Sequence, residues 1–126
     1  MNILVDTSIV IDHLRGGKKW ENVNATINED DRLYIPTIVI YELFSGDSTR
    51  KLEKLKEVTN FLEQFRKIDL TESIAEFAGR LRRDLKKAIQ VQDYIIAASA
   101  LSIGAKVVTL NTKHFEKIPG INLYPI

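Results

Sequence analysis

Met1-Asn2-Ile3-Leu4-Val5-Asp6-Thr7-Ser8 opens the chain. Ile3, Leu4 and Val5 form an apolar run without alternation, the pattern of a short strand buried on both faces of a parallel sheet. Thr7 or Ser8 is placed to cap a helix through Ile9-Val10-Ile11-Asp12-His13-Leu14. Asp6 then falls at the carboxyl end of a strand and beside a helix N-terminus, where open α/β sheets place their ligands. A carboxylate there is a candidate metal ligand or acid–base group.

The same alternation continues downstream. Gly16-Gly17 breaks the first helix, and Lys18 to Asn28 reads as a second, carrying the only tryptophan, Trp20. Leu33-Tyr34-Ile35 is a strand closed by Pro36. Thr37 caps a helix from Ile38 to Phe44 that stops near Gly46. Ser48 to Phe65 is helical, with Leu52, Leu55, Val58, Leu62 and Phe65 on one face. Lys67 to Leu70 is a strand, and Thr71 opens a helix whose Ile74, Phe77, Ala78, Leu81, Leu85 and Ala88 follow the helical period. Ile89 to Gln92 is a connector. Asp93 heads an alanine-rich helix that ends at Gly104, its small residues suited to close packing on a sheet. Lys106 to Leu110 and Asn122 to Tyr124 are further strands. Strands alternating with helices predict an α/β/α sandwich around a mostly parallel sheet, in one domain over residues 1–126.

Composition narrows the chemistry. The 126 residues include no cysteine, which excludes disulfides, thiolate metal sites and cysteine nucleophiles. No apolar run approaches the roughly 18 residues of a membrane span, and no basic segment precedes the first apolar run; the expected location is cytoplasmic, with no membrane partner. The net charge is only +1, but cations cluster. Arg50, Lys51, Lys54 and Lys56 form one group. Arg80, Arg82, Arg83, Lys86 and Lys87 form a second, facing a single acid, Asp84, and suit a phosphate-bearing partner.

Three carboxylates stand in costly places. Glu42 interrupts an apolar helix, Asp93 heads the most apolar helix, and Asp6 ends a buried strand. Each alone has a structural reading as a helix cap or a paired charge. Together they predict one convergent cluster at one sheet edge. Mutually repelling carboxylates call for a hard divalent cation. With only His13 and His114 as imidazoles, Mg²⁺ or Mn²⁺ fits better than zinc.

These residues carry a resemblance. Ile3 to Ser8, Ile35-Pro36-Thr37 through Tyr41-Glu42-Leu43, Asp93 to Leu101, and Val108-Thr109-Leu110-Asn111-Thr112-Lys113-His114-Phe115 followed by Ile118-Pro119-Gly120 occur in order over the whole chain. In this the chain resembles PIN-domain ribonucleases, and among them the VapC toxins of toxin–antitoxin pairs. The resemblance implies that Asp6, Glu42 and Asp93 are the metal-binding catalytic acids. It implies a fourth position at Asn111 or His114, where this chain has no acid. Asn111 offers a carbonyl oxygen and His114 a phosphate contact. Ser8 and Thr109 are expected to hydrogen-bond the acids, while Asp12 reads as a surface residue.

The activity expected is metal-assisted endonucleolytic hydrolysis of RNA by water, since no serine, histidine or lysine nucleophile system is evident. Arg80, Arg82, Arg83, Lys86, Lys87 and Lys113 are the expected RNA contacts. The resemblance further implies a homodimer and a VapB-type antitoxin bound over the active site; exposed apolar residues on the Lys18–Asn28 and Ser48–Phe65 helices, including Trp20 and Phe61, are expected to form its groove. Alternatives are a PIN nuclease of RNA processing that is not a toxin, and a silent PIN module that binds RNA or protein. A receiver-like phosphorylated domain fits poorly, because Lys106 begins its strand rather than ending it.

Overall fold

The computed structural model describes residues 1–86 and 89–126. Its strands are β1 (Asn2–Val5), β2 (Arg32–Pro36), β3 (Arg66–Ile68), β4 (Lys106–Val108) and β5 (Asn122–Leu123). They form one sheet in the order β3-β2-β1-β4-β5, and every neighbouring pair is parallel. The sheet is thus wholly rather than mostly parallel among the described residues. Strand β1 lies at its centre, in register Ile3↔Leu33 with β2 and Leu4↔Val107 with β4. Ile3, Leu4 and Val5 are fully buried, as a strand covered on both faces requires. The chain first builds outward from β1 through β2 to β3, then returns to the other side through β4. A doubly wound sheet opens its crevice at the carboxyl ends of the strands flanking that reversal, here β1 and β4.

The helices are α1 (Thr7–Leu14), α2 (Lys19–Asn24), α3 (Thr37–Ser45), α4 (Leu52–Leu62), α5 (Glu72–Leu85), α6 (Val91–Ile103) and α7 (Thr112–Phe115). Their ends depart from the sequence reading in instructive ways. Asp6, not Thr7 or Ser8, caps α1, accepting a bond from the Ser8 amide. Helix α2 stops at Asn24 rather than Asn28. The segment from Ser48 divides into a 3₁₀ turn over Asp47–Arg50 and then α4, with Lys51 extended between them. Helix α6 begins two residues before Asp93.

The core explains why α4 ends on an apolar face. Phe61 stacks against His13 with ring centroids 4.6 Å apart, against Phe65 at 5.2 Å and against the edge of Trp20 at 5.9 Å. Trp20 and Phe61 are therefore core residues, only 3% and 6% exposed, and not the lining of an external groove. The pull of the core on these large rings outweighs the polar character of the helices that carry them. The exposed large apolar residues lie elsewhere: Ile11, Tyr41, Phe44 and Leu52 among them.

Candidate active site

The carboxyl edge of β1 and β4 carries the first acid. The Asp6 amide donates to the Val108 carbonyl at 3.2 Å, which extends the ladder by one residue and sets Asp6 beside Thr109. Thr109 Oγ1 donates to Asp6 Oδ2 at 2.5 Å, and Ser8 donates to Asp6 Oδ1 through both Oγ (2.6 Å) and its amide (3.1 Å). Each hydroxyl also accepts an amide: Ser8 Oγ from Leu110 at 2.9 Å, and Thr109 Oγ1 from Asn111 at 2.9 Å. The acid is thus held by two hydroxyls that are themselves pinned to the loop after β4. Both hydroxyls take the positions the sequence reading assigns them. Burial still pushes the Asp6 carboxyl above its ordinary range, because desolvation outweighs the bonds from Ser8, Thr109 and the backbone.

Glu42 comes from α3. Thr7 Oγ1 donates to its Oε1 at 2.9 Å, joining the first turn of α1 to the middle of α3. Burial raises the Glu42 pKa; the Thr7 bond opposes the shift, and the charges of Asp93 and then Asp6 add to it. That repulsion shows that acids from three separate elements share one electrostatic field. Thr7 was not singled out by sequence. Its place directly after Asp6 was visible, but its partner 35 residues away was not.

Asp93 occupies the third position of α6. Its carboxylate reaches back to the Gln90 amide at 3.4 Å, closing a capping box in which the Gln90 side chain accepts from the Asp93 amide. The Gln90-x-x-Asp93 spacing is a capping signal legible in the sequence, and it sets the start of α6 at Val91 rather than Asp93. His114 Nδ1, from α7, lies 3.1 Å from Asp93 Oδ2. The structure therefore brings His114 into the site, on Asp93. Asn111 is exposed at the start of α7, attached through its backbone amide.

The expected RNA-contacting cations are more scattered. Arg80 pairs with Glu76 at 3.4 Å, and Arg83 forms a two-pronged bond with Asp84 at 2.8 and 3.2 Å, so both guanidiniums already serve acids of their own helix. Arg82 is exposed on α5, and Lys86 ends that helix in a left-handed conformation. Lys113 is exposed on α7, next to His114. Lys87 lies outside the described residues. Asp12 is half-buried rather than a simple surface residue, its Oδ2 accepting the Lys19 amide at 3.3 Å.

A family model for the PIN domain matches residues 3–121, a span that holds all three acids and the hydroxyls around them. The chain belongs to the PIN-domain family. It is 33% identical over 122 residues to Ribonuclease VapC19 of Mycobacterium tuberculosis, covering 94% of this chain and 95% of that protein. It is 30% identical to Ribonuclease VapC of Rickettsia bellii, covering 100% of this chain and 97% of the relative. Among solved structures, the DNA-bound VapBC of Salmonella typhimurium superimposes with a TM-score of 0.83 at 27% identity, over 98% of this chain and 97% of that one. The all-parallel sheet flanked by helices is thus shared with VapC proteins along nearly the whole length of this PIN domain. No helix among its described residues is long and apolar enough to cross a membrane.

The donor chemistry of this PIN domain fits a hard divalent ion. Asp6, Glu42 and Asp93 supply oxygen only. Among the described residues no lysine or arginine pairs with Asp6 or Glu42, and no three acids or histidines close into a ready-made cage. An open, oxygen-rich, anionic set of this kind suits an ion that keeps part of its water shell, as Mg²⁺ does.

Proposed function

We propose that this chain is a divalent-metal-dependent endoribonuclease and the toxin of a VapBC-type pair. The observation that carries the reading is the meeting of Asp6, Glu42 and Asp93 without a lysine or arginine counter-charge at Asp6 or Glu42 among the described residues. Such an arrangement is expensive unless a cation joins it. The relatives it matches along nearly their whole length are named ribonucleases.

In this reading Asp6 and Asp93 would hold the principal Mg²⁺ or Mn²⁺, and Glu42 would bind or orient the attacking water. The chemistry such an ion would supply is a lower pKa for that water and compensation of charge developing on the phosphate. The chain's own residues do the positioning. Ser8 and Thr109 fix the rotamer of Asp6, Thr7 fixes Glu42, and Gln90 with His114 fix Asp93. Arg82, Lys86 and Lys113 attract the RNA, with Lys87 and the paired Arg80 and Arg83 adding to the field.

The antitoxin is proposed to cover the site through a different groove from the one the sequence suggested. A cleft of about 630 Å³ lies between α1, α3 and α4, with Ile11, Leu14, Leu43 and Val58 on its walls and Glu42 at its edge. A VapB-type peptide seated there would exclude RNA from the acids. The homodimer and the cytoplasmic location remain part of this proposal.

Cleavage of a mixed RNA pool by purified protein tests it, run with Mg²⁺, with Mn²⁺ and with EDTA, beside Asp6→Asn. Metal-dependent cleavage that disappears in the variant is the expected result. RNA binding without cleavage by wild type in any metal would replace the enzyme with a binding module. Growth arrest on expression of wild type, but not of Asp6→Asn, separates a toxin from an RNA-processing nuclease.

A further inference from the structure

A second cleft, of about 570 Å³, opens on the opposite flank of α1. Ser8, whose hydroxyl is bonded to Asp6, lines it together with Asn111 and Arg15. Arg15, like Ile11, also lines the groove that Glu42 lines, so it stands where the two depressions adjoin. Seven residues, and so about 10 Å of helix rise, separate Ser8 in the first turn of α1 from Arg15 at its C-cap.

The turn that carries Arg15 is tightly built. Its amide donates to Ile11 and Asp12 carbonyls at 3.1 and 3.2 Å, and the Gly17 amide returns to the Asp12 carbonyl at 2.8 Å. A Cβ on Gly17 would fall 2.2 Å from the Asp12 carboxylate, so a larger residue there would have to move that side chain off the Lys19 amide. Lys54 Nζ donates to the Leu14 carbonyl at 3.0 Å from the other side. Yet the Arg15 guanidinium is exposed and, among the described residues, holds no acid. Asp12, the nearest carboxylate along the helix, is turned to the Lys19 amide. A rigid base with an uncommitted planar cation is the arrangement that recognises a phosphate.

An acidic metal centre repels a polyanion, so a strand led to it needs a cation on its path. The cations of α5 are partly spent on Glu76 and Asp84. We infer that the cleft from Asn111 and Ser8 to Arg15 is the path of the RNA strand beside the scissile bond, with Arg15 gripping a flanking phosphate. The inference rests on the ribonuclease reading above but concerns a residue that reading does not use. Arg15 is a substrate-binding residue, not one that touches the reacting atoms.

The test measures binding of a labelled, mixed-sequence single-stranded oligoribonucleotide in EDTA across a salt series, for wild type, Arg15→Gln, Arg15→Lys and Arg32→Gln. Arg32 begins β2, at the sheet edge away from the acids. Arg15→Gln is expected to weaken binding about two- to fivefold, the scale of one solvent-exposed ion pair. It is also expected to flatten the log–log salt slope by about 0.7, the loss of one phosphate contact. Arg15→Lys keeps most of the slope, and Arg32→Gln matches wild type. With Mg²⁺ and cleavable RNA, Arg15→Gln raises KM and leaves kcat near wild type. A folded Arg15→Gln with the wild-type affinity and slope overturns the inference. So does a variant that binds RNA normally but loses its antitoxin, which would make Arg15 a protein contact. Because the binding arm needs no catalysis, wild type that binds but never cleaves would overturn the nuclease reading while still deciding the role of Arg15.

Discussion

Thr109 Oγ1 does two things at once: it donates to Asp6 and accepts from the Asn111 amide. Replacing Thr109 with Val keeps the shape and removes both bonds. The expected cost is about 1–3 kcal/mol, the penalty for a buried polar group left unsatisfied, read as a lower urea midpoint. RNA cleavage should fall with it, because Asp6 loses a constraint. The same acids make stability depend on pH. Asp6 and Glu42 are both raised by burial, so in metal-free protein their favourable contribution is full below the ordinary carboxylate range. It is lost as pH rises through their elevated values. Melting in EDTA should therefore improve on mild acidification, and Asp6→Asn should weaken that dependence. Asp31 acts in the opposite sense. Its bond to the N-terminal ammonium at 2.9 Å, together with the Asn28 amide, holds it below the usual value. Its contribution is present above the ordinary carboxylate pKa and is lost as pH falls through the lowered one.

At the scale of elements, α6 carries most of the burden. Ala97, Ala98 and Ala100 are fully buried, which explains a helix that is apolar all round and rich in small side chains. The helix starts on the Gln90–Asp93 box and ends at Gly104, whose φ of +62° lies in the left-handed region. A Cβ on Gly104 would meet nothing within 4 Å, so Gly104→Ala isolates the backbone term. That term is about 1–2 kcal/mol, measurable by denaturant unfolding with no change in fold. Helix α4 depends instead on its aromatic end. Phe61→Ala should cost about 3–5 kcal/mol, because Phe61 stands against His13, Trp20 and Phe65 together. If Trp20 and Phe61 lined an external groove, the same change would leave stability nearly intact.

Across the whole molecule, three acids from separate elements converge only because the sheet reverses direction beside β1. A divalent ion that binds this folded site and not the unfolded chain must raise stability. At ten times its Kd the gain is about 1.4 kcal/mol, seen as a Mg²⁺-dependent rise in melting temperature that Asp6→Asn lacks. The fold class was legible in the sequence, and so were three carboxylates in costly places as the candidate site. Buried strands such as Ile3-Leu4-Val5, and carboxylates set against apolar neighbours, are local patterns readable from hydrophobic periodicity and desolvation cost. Ser8 and Thr109 were legible for the same reason, lying beside the strand ends that carry or flank Asp6. Only tertiary structure decided the strand order, the pairing of Thr7 with Glu42 and of His114 with Asp93, and the burial of Trp20 and Phe61. It alone set Arg15 between two clefts. Each of these depends on contacts between residues distant in the chain, made by how the helices pack on the sheet, and no local period encodes them.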